Sequence, residues 1–380
     1  MTTRATLIAM VLLAACAGSG ARSAAPGTDP DRANVERLLR TLAHDSMEGR
    51  GTGTPGGERA ARFLIAEMKR IGLKPGGDDK SYSQLVPVYL RPATTRQTVP
   101  QTCIVDSISK ARSCKPTPGA APVTQQVPQR IAALPTFKDV DTVPADRRRV
   151  TRNVIGMIPG SDPVLKNEVI IVLSHYDHLG IGRPENGDSI YNGADDDASG
   201  TVAVLEVARH LLAGPKPKRT VVFANMTGEE MGLVGTRYFL AHPTIPLERI
   251  VAGLEVEMIG RPDSLAGGPG KAWLTGYERS TMGDMLKQYG IAIVPDPRPS
   301  QNFFQRSDNY GFAVRGIVAH TLSTFNLHTD YHHAGDDVDK VDFAHMTAVT
   351  RAAAEAVRHL ADGPRPEWHS GGKPAASAPR

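Results

Sequence analysis

One stretch constrains the fold of this chain more than any other. The run Val169-Ile170-Ile171-Val172-Leu173 is apolar without alternation and reads as a strand buried on both faces, which needs a layer packed above it and another below. It breaks into Ser174-His175-Tyr176-Asp177-His178, so polar groups gather where the strand leaves the core. After a loop rich in Gly, Pro and Asn, the segment Asn192-Gly193-Ala194-Asp195-Asp196-Asp197-Ala198-Ser199-Gly200 runs into an apolar-periodic helix from about Thr201 to Leu212. Taken alone, three consecutive aspartates suggest a solvated acidic loop. Apolar segments tight on both sides argue against that, because crowded carboxylates out of water need a cation. An imidazole at a strand end facing an acidic turn offers what a divalent metal requires.

From Arg152 onward the pattern alternates strand and helix. Strands are expected near 152–158, 168–174, 219–226, 250–258, 271–275, 291–294 and 316–322, and helices near 198–213, 232–242, 278–289 and 342–361. The fold class that follows is α/β, a three-layer helix–sheet–helix arrangement around a mixed, mostly parallel central sheet. Upstream, a helix is expected from Asp31 to about Ala43. A glycine-rich turn, His44 to Gly57, then leads into a second helix with Thr54 as its cap and Pro55 at its first position. That turn lacks a Gly-Lys-Ser/Thr ending and no strand precedes it, so it is not a phosphate loop. The domain spans 31–362 and carries an insertion at 85–150, rich in Pro, Thr and Gln, which reads as irregular β structure. Residues 363–380, mostly small and Pro-containing with scattered charge, are expected to be disordered.

A net charge of +4, from 44 basic and 40 acidic residues, is too balanced for a nucleic-acid surface. The N-terminus reads as a targeting segment: Arg4, then an apolar stretch from Ala5 to Ala15 too short to span a bilayer. Leu13-Ala14-Ala15-Cys16 is similar to a lipobox, which makes 1–16 a lipoprotein-type signal peptide, 17–30 a tether, and a lipid on Cys16 the one expected membrane contact. Simple cleavage near Ala15-Cys16-Ala17 is the alternative. Both readings export the protein, to the periplasm or cell envelope or into the medium. Cys103 and Cys114 then form an even pair able to bridge in an oxidising compartment.

Three more polar clusters sit where strands are expected to end: Thr227-Gly228-Glu229-Glu230, Glu255-Val256-Glu257-Met258, and His328-Thr329-Asp330-Tyr331-His332-His333 followed by Asp336. Open α/β sheets place their sites at such ends. Two histidine clusters and three carboxylate clusters, with one Glu to spare, suit a hydrolytic site with two metals and a carboxylate base. There is no Gly-x-Ser-x-Gly elbow, and both internal cysteines lie in the insertion.

Taken together, Leu42 to Gly57, Ser174-His-Tyr-Asp-His-Leu-Gly180, residues 192–200, Gly228-Glu-Glu-Met-Gly-Leu233 and Asp330-Tyr-His332 resemble the motifs of the two-zinc exopeptidases of metallopeptidase family 28. That family includes bacterial leucyl aminopeptidases and glutamate carboxypeptidases. The resemblance implies two Zn²⁺ ions and peptide substrates. It makes His175 and Glu257 ligands of the first metal, Asp196 the bridge, and Glu230 and His332 ligands of the second. It makes Glu229 the general base, Asp177 the partner of the His175 ring, Asp336 a similar partner near His332, and Tyr331 a candidate for oxyanion stabilisation. It also implies a cis peptide at Asp196–Asp197. Glu257 departs from the pattern, which has Asp there. An aminopeptidase is the expected activity. The rivals are a carboxypeptidase or dipeptidase of the same fold, a glutaminyl-cyclase-like enzyme, and a metal-stabilised binding protein without catalysis. A carboxypeptidase would need a cation aimed at the substrate, and Arg261, Arg306 and Arg315 are the candidates.

Overall fold

The computed structural model describes residues 30–91, 94–98, 101–105, 112–121, 123–127 and 131–375. The signal segment and nearly all of the tether lie outside the described residues. Helix α1 (Arg32–Leu42) begins at Asp31, whose side chain accepts from the Ala33 N–H, and it buries Val35, Leu38, Leu39 and Leu42. Helix α2 (Pro55–Ile71) starts as the sequence indicates, with the Thr54 hydroxyl accepting from Gly57 N at 3.3 Å and Pro55 in its first turn. It closes on Gly72, whose φ of 90° suits a residue without a Cβ.

The central sheet has ten strands: β1 (Lys74–Pro75), β2 (Ser83–Leu90), β3 (Ile131–Ala133), β4 (Arg148–Ile158), β5 (Val169–His175), β6 (Thr220–Met226), β7 (Ile250–Glu257), β8 (Ala272–Leu274), β9 (Ile293–Pro295) and β10 (Val318–Ser323). Their order is β9-β8-β10-β7-β5-β6-β4-β2-β3, with β1 beside β4. The middle four, β10-β7-β5-β6, are mutually parallel, and antiparallel pairing begins at β8 and at β4 on either side. The sheet is therefore mixed and parallel through its centre.

Every residue of β5 and β6 is buried. Period-two alternation divides their side chains between two cores. Ile170 and Val172 pack under α1, α2, α3 (Gly200–Ala213) and α7 (Phe343–Asp362), whereas Ile171 and Leu173 meet Phe239 of α4 (Val234–Ala241) and Phe312 of α6 (Asn309–Ala313). Helix α5 (Met282–Gln288) adds Met282 and Leu286 to the first core. This is the expected helix–sheet–helix sandwich. It brings the carboxyl ends of β5, β6, β7 and β10 to one edge, and the site forms there.

Two parts of the chain differ from expectation. Residues 363–375 are packed against the domain rather than disordered: Trp368 Nε1 donates to Gly316 O at 2.9 Å, Arg365 Nε to Glu168 at 3.0 Å, and Glu367 N to Thr281 Oγ1 at 2.9 Å. Composition undervalues a tail in which Arg365 and Trp368 find partners through their side chains and Glu367 through its main chain. Second, part of the insertion belongs to the main sheet, since β2 pairs with β4 over seven residues from Ser83↔Val154 to Tyr89↔Arg148. Beyond it, Thr94–Thr98 pairs with Val123–Val127 and Gln101–Val105 with Arg112–Pro116, which sets the Cys103 backbone opposite that of Cys114. The side chains that would form the expected bridge are outside what the structure describes. Among the described residues no helix is long and apolar enough to cross a membrane.

Candidate active site

His175 ends β5 with its ring buried. Its Nε2 is 3.3 Å from Asp196 Oδ1 and 3.8 Å from Glu257 Oε1, at the end of β7. Across Asp196, His332 Nε2 lies 3.1 Å from Asp196 Oδ2 and 3.2 Å from Glu230 Oε2. Asp196 thus faces an imidazole on each side, and all five expected ligands converge on one cluster. His178, which was not among them, joins it: its Nδ1 is 2.9 Å from Glu230 Oε1 and 3.9 Å from Asp196 Oδ2. Its closeness to His175 in sequence was the available signal.

The three aspartates divide their duties. Asp195 accepts from Gly260 N at 2.6 Å and contacts His328 Nε2 at 3.0 Å. Asp197 accepts from Gly200 N at 2.9 Å, Met258 N at 3.0 Å and His175 N at 3.3 Å. Backbone N–H groups satisfy Asp197, Gly260 N and His328 satisfy Asp195, and Asp196 is left to His175 and His332. The Asp196–Asp197 peptide is cis. Gly193 opens this turn at φ 54°, and a Cβ there would fall 2.2 Å from Asp196 O and 2.5 Å from the His178 ring.

Two supporting residues act differently from their expected roles. The Asp177 carboxylate is 3.8 Å from His175 Nδ1, and the Asp177 carbonyl at 3.2 Å is the nearer partner. The carboxylate instead accepts from Thr52 Oγ1 at 2.8 Å and Glu229 N at 3.1 Å, so it ties the base-bearing loop to the β5 end. Asp336 does not hold the His332 ring. It accepts from Asp195 N at 3.1 Å and Asp196 N at 3.0 Å and pairs with Arg261 at 3.0 Å, bracing the backbone beneath the shared aspartate. The reason is reach: the His328–Asp337 loop folds Asp336 under the aspartate turn while His332 points across it.

Electrostatics sharpen the picture. Burial opposes ionisation of Asp196, but hydrogen bonding to His175 and His332 outweighs it and holds the carboxyl well below the usual range. Burial also works against the His332 charge, yet Asp196 and Glu230 raise its pKa to about 10. Glu229 is pushed well above the carboxylate range, first by burial and then by Glu257 and Glu230. Surplus carboxylate makes the cluster gather positive charge. The buried atoms His175 Nε2 and Glu230 Oε1 meet other members of the cluster but lack well-aligned hydrogen bonds, and the donor set is nitrogen and oxygen, so the residues fit zinc. A cavity opens beside Glu229 and Glu257, walled by Trp273, Phe303, Arg306 and Tyr331. The Tyr331 ring stacks on His332 with centroids 3.9 Å apart.

Arg50 carries no sequence signal beyond its place in the glycine-rich turn, yet it anchors the site. Fully buried, it donates to Tyr176 O at 2.8 Å, Leu42 O at 2.9 Å and Gly193 O at 2.8 Å, and also to Asn192 O. It joins the histidine loop, the aspartate turn and the end of α1. Arg50→Ala strands the carbonyls of Leu42, Tyr176 and Asn192, each costing about 1–3 kcal/mol when buried without a partner, while Gly193 O keeps Ala198 N at 3.3 Å. Denaturant unfolding is expected to show a loss of about 3 kcal/mol or more, with Arg50→Lys recovering part of it because one ammonium cannot span the fork. A loss under about 1 kcal/mol would show that Arg50 does not hold these loops.

The fold and this cluster define an α/β protein with a carboxylate–imidazole centre at the carboxyl ends of parallel strands. The chain belongs to peptidase family M28, whose model matches residues 153–357. Among curated proteins, a probable leucine aminopeptidase 2 of Aspergillus fumigatus is 28% identical over 238 residues, 56% of this chain and 45% of that protein. A probable zinc metalloprotease of Pyrenophora teres f. teres is 41% identical over 87 residues, 23% of this chain and 17% of that protein. The chain therefore spans less than half the length of these relatives. Among solved structures, the Bacillus subtilis zinc aminopeptidase BSAP has a TM-score of 0.60 at 14% identity, covering 88% of this chain and 96% of that one. An aminopeptidase from Aneurinibacillus sp. strain AM-1 has a TM-score of 0.59 at 16% identity, with 88% and 95% covered. At such identities the likeness is one of fold.

Proposed function

We propose that this protein is a zinc-dependent aminopeptidase that uses two metal ions. The observation that carries the reading is the pairing of two N/O donor sets through Asp196, with Glu229 beside them in the cavity and outside both sets. Family membership and relatives named as leucine aminopeptidases and zinc metalloproteases support it. His175, Asp196 and Glu257 hold one ion. Asp196, Glu230 and His332 hold the other, with His178 steadying Glu230. His332 is preferred to His178 as ligand because it lies within 3.2 Å of both carboxylates.

Zinc in these positions supplies Lewis acidity to a scissile carbonyl and makes water easier to deprotonate. Glu229 takes the proton from the attacking water and returns it to the leaving amine, a task suited to a carboxyl whose proton affinity burial has raised. Tyr331, stacked on His332 with centroids 3.9 Å apart, would donate its hydroxyl to the oxyanion. Glu257 reaches the cluster from a strand end, with its Oε1 3.8 Å from His175 Nε2 against 3.3 Å for Asp196 Oδ1.

A panel of peptides tests the end-specificity. With zinc present, peptides bearing a free amino terminus should be cut one residue at a time, and N-acetylated counterparts should resist. Equal cleavage of blocked and free peptides would replace this reading with a carboxypeptidase.

A further inference from the structure

The loop that carries His332 is held from two sides. On its buried side, Arg261 engages Asp330 at 2.6 Å and Asp336 at 3.0 Å, and His328 Nε2 lies 3.0 Å from Asp195 Oδ2. His332 itself sits at φ 60°, a left-handed conformation that a residue with a Cβ keeps only where its surroundings fix it. A different element meets the exposed side. Glu185, at the tip of a hairpin, has its Oε1 2.9 Å from His333 Nδ1, and its Oε2 accepts from the Ala334 N–H at 3.1 Å. Both carboxylate oxygens are spent on the two residues that follow His332.

Local sequence puts Glu185 there. The hairpin strands, Gly180–Glu185 and Asp188–Tyr191, are joined by Asn186-Gly187 with φ of 51° and 91°, the pattern of a tight two-residue turn. Between the pairs Ile181↔Ile190 and Glu185↔Asp188 the register shifts, so Gly182, Arg183 and Pro184 face Ser189 alone. Such a bulge bends its strand and re-aims the side chains beyond it. Tyr191 buttresses the bulge, its hydroxyl donating to Arg183 O at 3.0 Å. The root of the hairpin follows His178, whose backbone pairs with that of Gly51 beside the buried Arg50. One continuous arm therefore runs from the end of β5, which carries His175, to the far flank of the His332 loop.

We propose that Glu185 is a positioning residue that fixes His332 for the second metal, acting through His333 and Ala334. The proposal rests on the two-metal reading above. An exposed carboxylate–imidazole contact adds little to the stability of a fold. Its effect here is on geometry, because partners behind a metal ligand set where that ligand points and so how tightly the ion is held.

Zinc competition against a chromophoric chelator, run on the full chain, tests this by counting equivalents and their affinities. Glu185→Ala should bind one zinc as wild type does and the other roughly 10-fold more weakly, with the denaturant midpoint unchanged. Glu185→Gln should recover part of the loss, since an amide oxygen still accepts from the Ala334 N–H. In a Glu230→Gln background, which already lacks the second site, Glu185→Ala should weaken nothing further. At saturating zinc the kcat of Glu185→Ala should return to near the wild-type value. Both zincs within about twofold of wild type in Glu185→Ala, or both weakened together with a lowered denaturant midpoint, would overturn the proposal. So would a further loss of zinc in the Glu230→Gln background. Wild-type protein that takes up a single zinc would instead fail the two-metal reading, and the proposal with it.

Discussion

Glu229→Gln should lose roughly 10²- to 10⁴-fold in kcat while keeping its metal, the range associated with removing a general base. The substitution is nearly isosteric, and among the described residues no hydrogen bond depends on the Glu229 carboxylate, since its loop is held through the main-chain N–H that donates to Asp177 at 3.1 Å. The defect should therefore appear in the chemical step, with KM little changed and metal content unchanged. Steady-state kinetics alongside metal analysis make the check. A Glu229→Gln enzyme with wild-type turnover would remove the proton-transfer role from this residue.

The second large effect concerns the shared aspartate. Asp196 is 3.3 Å from His175 and 3.1 Å from His332, so one side chain serves both proposed ions, whereas Glu230 contacts only the His178 and His332 side. Asp196→Ala should weaken both sites and abolish activity. Glu230→Gln should lower the bound zinc by about one equivalent, because a neutral amide is a poorer ligand than a carboxylate. Elemental analysis after dialysis against a weak chelator separates the two cases. If both variants retained the full complement, the residues would have been assigned to the wrong task.

Much of the fold was legible because its signals are local. Val169–Leu173 and Val221–Ala224 are uninterrupted apolar runs, and only a sheet covered on both faces accommodates them. The ligand clusters were legible for a related reason: His175 and Glu257 end strands, and Glu229 and His332 lie in the loops that follow β6 and β10, where polar clusters mark a site. What stayed hidden depends on distant partners. Arg50 owes its importance to carbonyls 126 and 143 residues away, and Asp336 to N–H groups 140 and 141 residues away. No pattern within a short window distinguishes such residues from surface charge. Helix α6 is five residues long, too short to show a period, and the 363–375 segment is ordered by single contacts such as Trp368 to Gly316.

Chelation followed by graded return of zinc is the most direct measurement of the central claim, with bound metal and peptide hydrolysis recorded on the same samples. The metal-free protein should remain folded enough to rebind, show no hydrolysis, and regain activity as zinc fills the sites built on Asp196. Undiminished hydrolysis by protein verified to be free of metal would contradict it.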